Sequence, residues 1–165
     1  MKREKSVLVD KHDNVIGYKF RDEIDYSNDI YRSTGIWITN SKGQVLIAKR
    51  SQAKKNDPGK WGPAAAGTVE EGETYEEDAT KEAAEELGLK NISLSKGPKQ
   101  YFDKPRRQFY QWFLALIDKP ADEFVIQKEE VERVEWIDRD ELVRDQKEHP
   151  EKYIPFMGEV LRVLI

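Results

Sequence analysis

Between Thr74 and Gly88 the sequence spells both ends of a helix. Thr74 with Glu77 three residues on forms a capping box, and Gly88 follows Leu87 where a left-handed C-terminal residue is wanted, so a helix is expected from about Tyr75 to Leu87. The stretch is built against its own stability. From Glu70 to Glu86 there are nine acids, Glu70, Glu71, Glu73, Glu76, Glu77, Asp78, Glu82, Glu85 and Glu86, against one base, Lys81. A solvated helix face intersperses Lys with Glu, because like charges one turn apart repel. On the helical repeat Glu82, Glu85 and Glu86 share one arc, with Asp78 one turn before, while Ala79, Ala83 and Leu87 form an adjoining apolar stripe. One face is set to pack and the next to present carboxylates. Such a cluster suits a hard divalent cation, since Mg²⁺ takes oxygen ligands and keeps positions for water and phosphate oxygens. A merely acidic, solvated helix is the plainer reading of these residues taken alone.

The remainder of the chain supplies a core. Its 165 residues are 38% hydrophobic and 10% aromatic, which excludes the disordered acidic class in spite of 36% charged residues. Length and the lack of repeats, low-complexity tracts or Gly/Ser/Pro linkers are expected to give a single domain over residues 1–165. No cysteine is present, so disulfides, thiolate metal sites and a Cys nucleophile are out, and a cytoplasmic home is expected. No apolar run reaches membrane-spanning length, so no membrane partner is expected. The basic start Met1-Lys2-Arg3-Glu4-Lys5 is followed by too short an apolar stretch for a secretion signal. A formal net charge of -4 makes a stable nucleic-acid complex unexpected, because phosphate neutralisation supplies most non-specific affinity.

Around the helix the pattern is mostly strands. Val7-Leu8-Val9 and Val15 to Tyr18 flank the turn-forming His12-Asp13-Asn14, predicting a hairpin in an N-terminal extension over residues 1–30. Thr34 to Thr39 and Val45 to Ala48 flank Asn40-Ser41-Lys42-Gly43 in the same way. Lys99 to Phe102, Gln108 to Ile117 and Val131 to Ile137 read as further strands, and helices are expected near Arg139 to Glu148 and Pro155 to Leu164. Without regular βα alternation this predicts an α+β domain, a mixed sheet covered by helices.

Upstream of the helix the residues complete a motif. Gly67, five residues, Glu73, seven residues, Lys81-Glu82-Ala83, one residue, Glu85-Glu86, one residue and Gly88-Leu89 resemble the Nudix box, G-x5-E-x7-R-E-U-x-E-E-x-G-U, where U is bulky and aliphatic. Seven fixed positions fall within residues 67–89, and Lys81 departs from them where the family has Arg; Ala83 is small for an aliphatic position. The likeness extends outward through Lys49-Arg50, Pro58-Gly59-Lys60-Trp61 and Glu130-Val131 to Trp136.

The resemblance to this MutT-like superfamily implies an α/β/α sandwich with a catalytic loop-helix-loop and metal-dependent hydrolysis of a diphosphate linked to another moiety. It implies Gly67, Glu82, Glu85 and Glu86 as metal ligands for Mg²⁺ or Mn²⁺. Glu73 would be a structural partner of Lys81, and Gly88 would close the box. Family members differ in the source of the general base, so Glu86 stands first, with Glu85 among the catalytic carboxylates, and Glu130 second; Glu129 and Glu132 are close in register. Lys in place of Arg exchanges a two-pronged hydrogen bond for a single flexible charge.

Lys49, Arg50, Lys54, Lys55 and Lys60 place five positive charges within twelve residues against one acid, Asp57. Arg50 and Lys60 are the candidates for binding substrate phosphate; an ordinary lysine-rich loop is the plainer alternative. Lys104, Arg106 and Arg107 beside Tyr101, Phe102 and Tyr110 offer stacking and charge for a nucleotide, although most aromatics, Trp37, Trp112 and Trp136 among them, read as core. Val9 to Gly17 and Tyr31-Arg32 also resemble the isopentenyl-diphosphate isomerase branch. Those isomerases place a catalytic Cys and His at positions that here are Ala66 and Thr68, so a hydrolase of that branch is expected instead. The alternative is a Nudix-like module that binds a nucleotide without cleaving it. The expected partner is a small organic diphosphate, a nucleotide derivative first, and a homodimer is compatible with the sequence.

Overall fold

Side-chain alternation along two central strands sets the layers of this protein. A computed structural model describes residues 3–165, so Met1 and Lys2 of the basic start lie outside the described residues. The chain runs through β1 (Lys5–Val9), β2 (Val15–Phe20), β3 (Ile30–Thr39), β4 (Gln44–Arg50), β5 (Trp61–Pro63) and β6 (Ala65–Thr68) to α1 (Tyr75–Leu87). It continues through β7 (Ser95–Phe102), β8 (Gln108–Leu116), β9 (Val131–Asp138), α2 (Arg139–Glu148) and α3 (Met157–Leu164).

The long strand β3 organises the sheet. On one edge it runs parallel to β8, from Tyr31 beside Gln108 to Thr39 beside Leu116. On the other it meets three antiparallel partners in turn: β1 at Ile30 and Tyr31, β6 from Ser33 to Ile36, and β4 at Thr39. β4 then pairs with β5 and β9, and β7 flanks β8.

Alternate residues of β3 and β4 bury into opposite layers. Ile36, Ile38, Leu46 and Ala48 pack with Ala79, Ala83 and Leu87 of α1. Trp37, Val45 and Ile47 pack with Leu142 of α2 and Met157, Val160 and Leu161 of α3. The result is the α/β/α sandwich, with each buried Leu or Ile contributing about 1.5–3 kcal/mol. Gly35 is what lets the aromatic layer close on β3, since a Cβ there would stand 2.3 Å from the Trp112 ring and 2.4 Å from Tyr110.

Helix α1 has the bounds expected from its caps. The Thr74 side chain accepts from the Glu77 amide at 3.1 Å, Glu77 accepts from the Thr74 amide at 2.9 Å, and Gly88 sits at φ 67. Elsewhere the bounds differ from expectation, and β3 begins at Ile30 rather than Thr34 because its first residues pair with β1. The small-residue run 62–67 is built into β5 and β6, whose pairing with β4 and β3 no local pattern announces. Strand β7 begins at Ser95 rather than Lys99, with an irregularity between Lys96 and Lys99 where Pro98 has no amide to donate. The last helix starts at Met157 rather than Pro155, after a turn in which the Met157 amide donates to the Ile154 carbonyl.

The N-terminal hairpin β1–β2 has its own small clusters, Val7, Val9, Ile30 and Val69 on one face and Leu8, Ile24 and Tyr31 on the other. Its turn is clasped to the domain. Asp13, at φ 63, accepts from Arg32 Nε at 2.8 Å, Lys99 Nζ at 2.6 Å and the Tyr75 hydroxyl at 2.9 Å.

Candidate active site

Small residues let α1 approach β6 closely enough to lay its carboxylates against the sheet. Ala79 and Ala83 are fully buried, and a Cβ on Gly67 would stand 2.4 Å from Glu82 Cγ and 2.7 Å from its Oε1. One turn on, Glu86 is only 7% exposed, and its Oε2 faces the Ala66 amide at 3.4 Å. Glu85, between them on the same arc, stays exposed. Burial, followed by the charge of Glu86, pushes the Glu82 carboxyl up to about 9. Burial, followed by the charge of Glu130, pushes Glu86 up to about 7.

One cation organises the helix side of this cluster. Lys81 Nζ lies 2.7 Å from Glu73, 3.4 Å from Glu70, 3.5 Å from Asp78 and 3.9 Å from Glu82. Burial works against its charge, but these carboxylates, Glu73 foremost, hold its pKa above the usual lysine value. Asp78 corrects an expectation: it does not stand with the presented carboxylates but is fully buried, its Oδ2 accepting from Thr34 Oγ1 at 2.5 Å. The reason is its position toward the Ala79 side of the helix, which β3 covers. Asp78 Oδ1 and Glu73 Oε2 are buried without a hydrogen bond.

These elements open on a cleft of about 1030 Å³. Gly67, Glu82, Glu85 and Glu86 line it from the box, and Glu130 lines it from the segment before β9. Arg50, Lys54, Lys55 and Arg106 line the same cleft, with Arg3 and Arg21 from the N-terminal extension. Among the expected site residues, Arg50 is therefore brought in, its Nε and Nη2 braced on the Asn56 carbonyl at 3.0 and 2.8 Å. Lys54 is ion-paired to Glu130. Lys60 is not brought in: its ammonium donates to the Glu151 carbonyl, because Lys60 and β5 turn toward the segment leading to α3. Lys49 pairs with Glu132 at 3.3 Å. Gly88 closes the helix, where a Cβ would stand 2.7 Å from Val125 Cβ.

Sequence reasoning passed over Tyr31, Ser33, Thr34 and Gln108. All but Thr34 line the cleft, and all four are buried. A signal was present in the polar residues interrupting otherwise apolar strands, Ser33-Thr34 in β3 and Gln108 in β8. Of the aromatics proposed to stack, Phe102 and Tyr110 are core, and Tyr101 remains 41% exposed.

The donor chemistry fits a hard divalent cation. Buried carboxylates that repel one another, a backbone carbonyl position at Gly67 and no soft ligand make an oxygen-only site. Among the described residues no three acidic side chains form a ready metal cage, the four around Lys81 being gathered on its ammonium, so the fit rests on donor type and repulsion.

Comparison with known proteins gives a family and a fold. A family model described as the NUDIX domain matches residues 30–159. An uncharacterized Nudix hydrolase of Pseudomonas aeruginosa is 32% identical over 157 residues, 94% of this chain and 88% of that protein. An isopentenyl-diphosphate Delta-isomerase of Photorhabdus laumondii is 35% identical over 91 residues, 53% of this chain and 51% of the isomerase. A crystal structure from Deinococcus radiodurans superposes with a TM-score of 0.84 at 24% identity, covering 96% of this chain and 98% of that one.

Proposed function

This chain belongs to the Nudix family of hydrolases, which cleave pyrophosphate bonds with a divalent cation, and we propose that its substrate is a nucleoside diphosphate linked to another moiety or a similar organic diphosphate. The observation that carries the reading is a single cleft with buried box carboxylates on one wall and Arg50, Lys54, Lys55 and Arg106 around it. Anionic substrate and anionic ligands can share such a cleft only if positive charge stands between and around them.

The Gly67 carbonyl, Glu82, Glu85 and Glu86 would hold Mg²⁺ or Mn²⁺, which would supply charge neutralisation on the phosphoryl oxygens and a more acidic bound water. Arg50 orients the diphosphate, its guanidinium already fixed in direction by Asn56. Lys81 keeps Glu73 and Glu82 in place from the helix side. Glu86, buried and outside the Lys54–Glu130 ion pair, accepts the proton of the attacking water; Glu130, bound to Lys54, is the second choice. The isomerase alternative is disfavoured because Ala66 and Thr68, both lining the cleft, offer neither a thiol nor an imidazole. The whole of residues 1–165 acts as one domain in this reading.

Phosphate and nucleotide release should be measured on nucleoside triphosphates, nucleotide sugars, dinucleoside polyphosphates and isoprenoid diphosphates with Mg²⁺ or Mn²⁺, beside Glu86→Gln. Metal-dependent turnover lost in the variant supports the reading. No turnover on any substrate, with nucleotide still raising the melting temperature, would favour a binding module.

A further inference from the structure

Beyond the carboxylates, the cleft floor is the face of β3 and β8 that carries Tyr31, Ser33, Gln108 and Tyr110. Gln108 is the unusual member. It is 3% exposed, and its Oε1 accepts from Ser33 Oγ at 2.8 Å, a residue itself 4% exposed. That bond leaves the amide nitrogen facing the other way. Among the described residues Nε2 has no acceptor, and it is not one of the unpartnered atoms sealed from solvent, so it reaches the open cleft that Gln108 lines. A nearly buried amide with an unmet donor is costly for any ligand that covers it without an acceptor, and favourable for one that brings an acceptor. Arg106, two residues before it and lining the same cleft, suits a polar or anionic group better than a hydrocarbon tail.

We propose that Gln108, oriented by Ser33, selects the organic group of the substrate: its free amide takes a hydrogen-bond acceptor of a nucleobase or sugar and rejects a hydrocarbon diphosphate. The inference rests on the hydrolase reading for its substrates but concerns a residue outside the box. Ser33 acts as a positioning residue, since it contributes by fixing which end of the amide faces the ligand.

The test compares wild type, Gln108→Leu and Gln108→Glu. The last keeps the shape and the Ser33 bond but exchanges the donor for a negative charge, which repels both anionic substrates alike, so the preference between them reads the lost donor. With Mg²⁺, kcat/KM is measured for a nucleotide sugar and for dimethylallyl diphosphate. Wild type should prefer the nucleotide sugar, and both variants should reduce that preference by about tenfold to a hundredfold, mainly through KM. Ser33→Ala should fall between. A second readout needs no turnover: the melting-temperature rise given by a nucleoside monophosphate without metal should shrink in both variants. Ribose 5-phosphate in the same assay separates the sources, because protection by it assigns the sugar and protection only by the nucleotide assigns the base. If nothing is hydrolysed, the hydrolase reading fails while the melting shift still judges Gln108. An unchanged preference and shift in Gln108→Glu, or a wild type that favours dimethylallyl diphosphate, would overturn the proposal; should Gln108→Leu not fold, Gln108→Glu decides.

Discussion

Lys81 Nζ lies 2.7 Å from Glu73 Oε1, tying the loop before α1 to the helix eight residues later. The same ammonium reaches Glu70, Asp78 and Glu82, so one flexible charge does what a two-pronged guanidinium does with two directed bonds. Lys81→Arg should therefore keep or raise activity. Lys81→Met should lower the melting temperature, losing about 2 kcal/mol once the partial exposure of the pair is discounted. It should also raise the Mg²⁺ concentration needed for half-maximal rate. A large loss in Lys81→Arg would assign Lys81 a different role.

Glu86→Gln should fold and lose turnover. Its stability relative to wild type, measured with a chelator present, should depend on pH. The folded pKa of Glu86 is raised from 4.5 to about 7, so its favourable contribution is complete below pH 4.5 and lost as pH rises through about 7. The variant's advantage should thus be absent near pH 4.5 and reach on the order of 2–3 kcal/mol by pH 8. Thermal melts across that window check it, and excess Mg²⁺ should erase the difference by stabilising the ionised wild type. A variant that is less stable at pH 8 without metal would contradict the repulsion argument.

Asp13→Asn keeps a residue that tolerates φ 63 but removes the charge shared by Arg32 and Lys99. Burial alone would raise the Asp13 pKa; the bonds from Lys99, Arg32 and Tyr75 outweigh it and hold the pKa below 3.8. Stability from this group is present above the ordinary carboxylate range and lost as pH falls through the lowered folded value. Melting at pH 7 should drop by roughly 4–8 °C for a loss of about 2 kcal/mol, and the gap should narrow below pH 4.

Gly67→Ala tests the approach of β6 to α1. The added methyl would stand 2.4 Å from Glu82 Cγ, so the carboxylate must move. The Mg²⁺ midpoint of activity should rise by about tenfold. An unchanged midpoint would separate Glu82 from the metal.

Much of this was legible locally. Thr74, Glu77 and Gly88 set the ends of α1 because capping groups act within one turn, and the Ala79-Ala83-Leu87 stripe set its buried face. The spacing from Gly67 to Leu89 identified the family, because the box is contiguous in sequence. Asp78 was misplaced because helical angle separates arcs of a helix but cannot say that β3 would cover the arc shared with Thr34. Lys60 was misplaced because charge density along a loop carries no direction.

The sequence by itself determined most strands, the capped acidic helix and, through the contiguous box, the family and its pyrophosphate chemistry, since each is written within a short stretch of chain. Only the tertiary structure decided which cations share the cleft with the carboxylates, that Lys54 and Glu130, 76 residues apart, form a pair, and that Ser33 turns Gln108 across 75 residues. Those relationships arise where β3, β6 and β8 pair side by side. Strand pairing between distant segments fixes directions that a linear pattern does not contain.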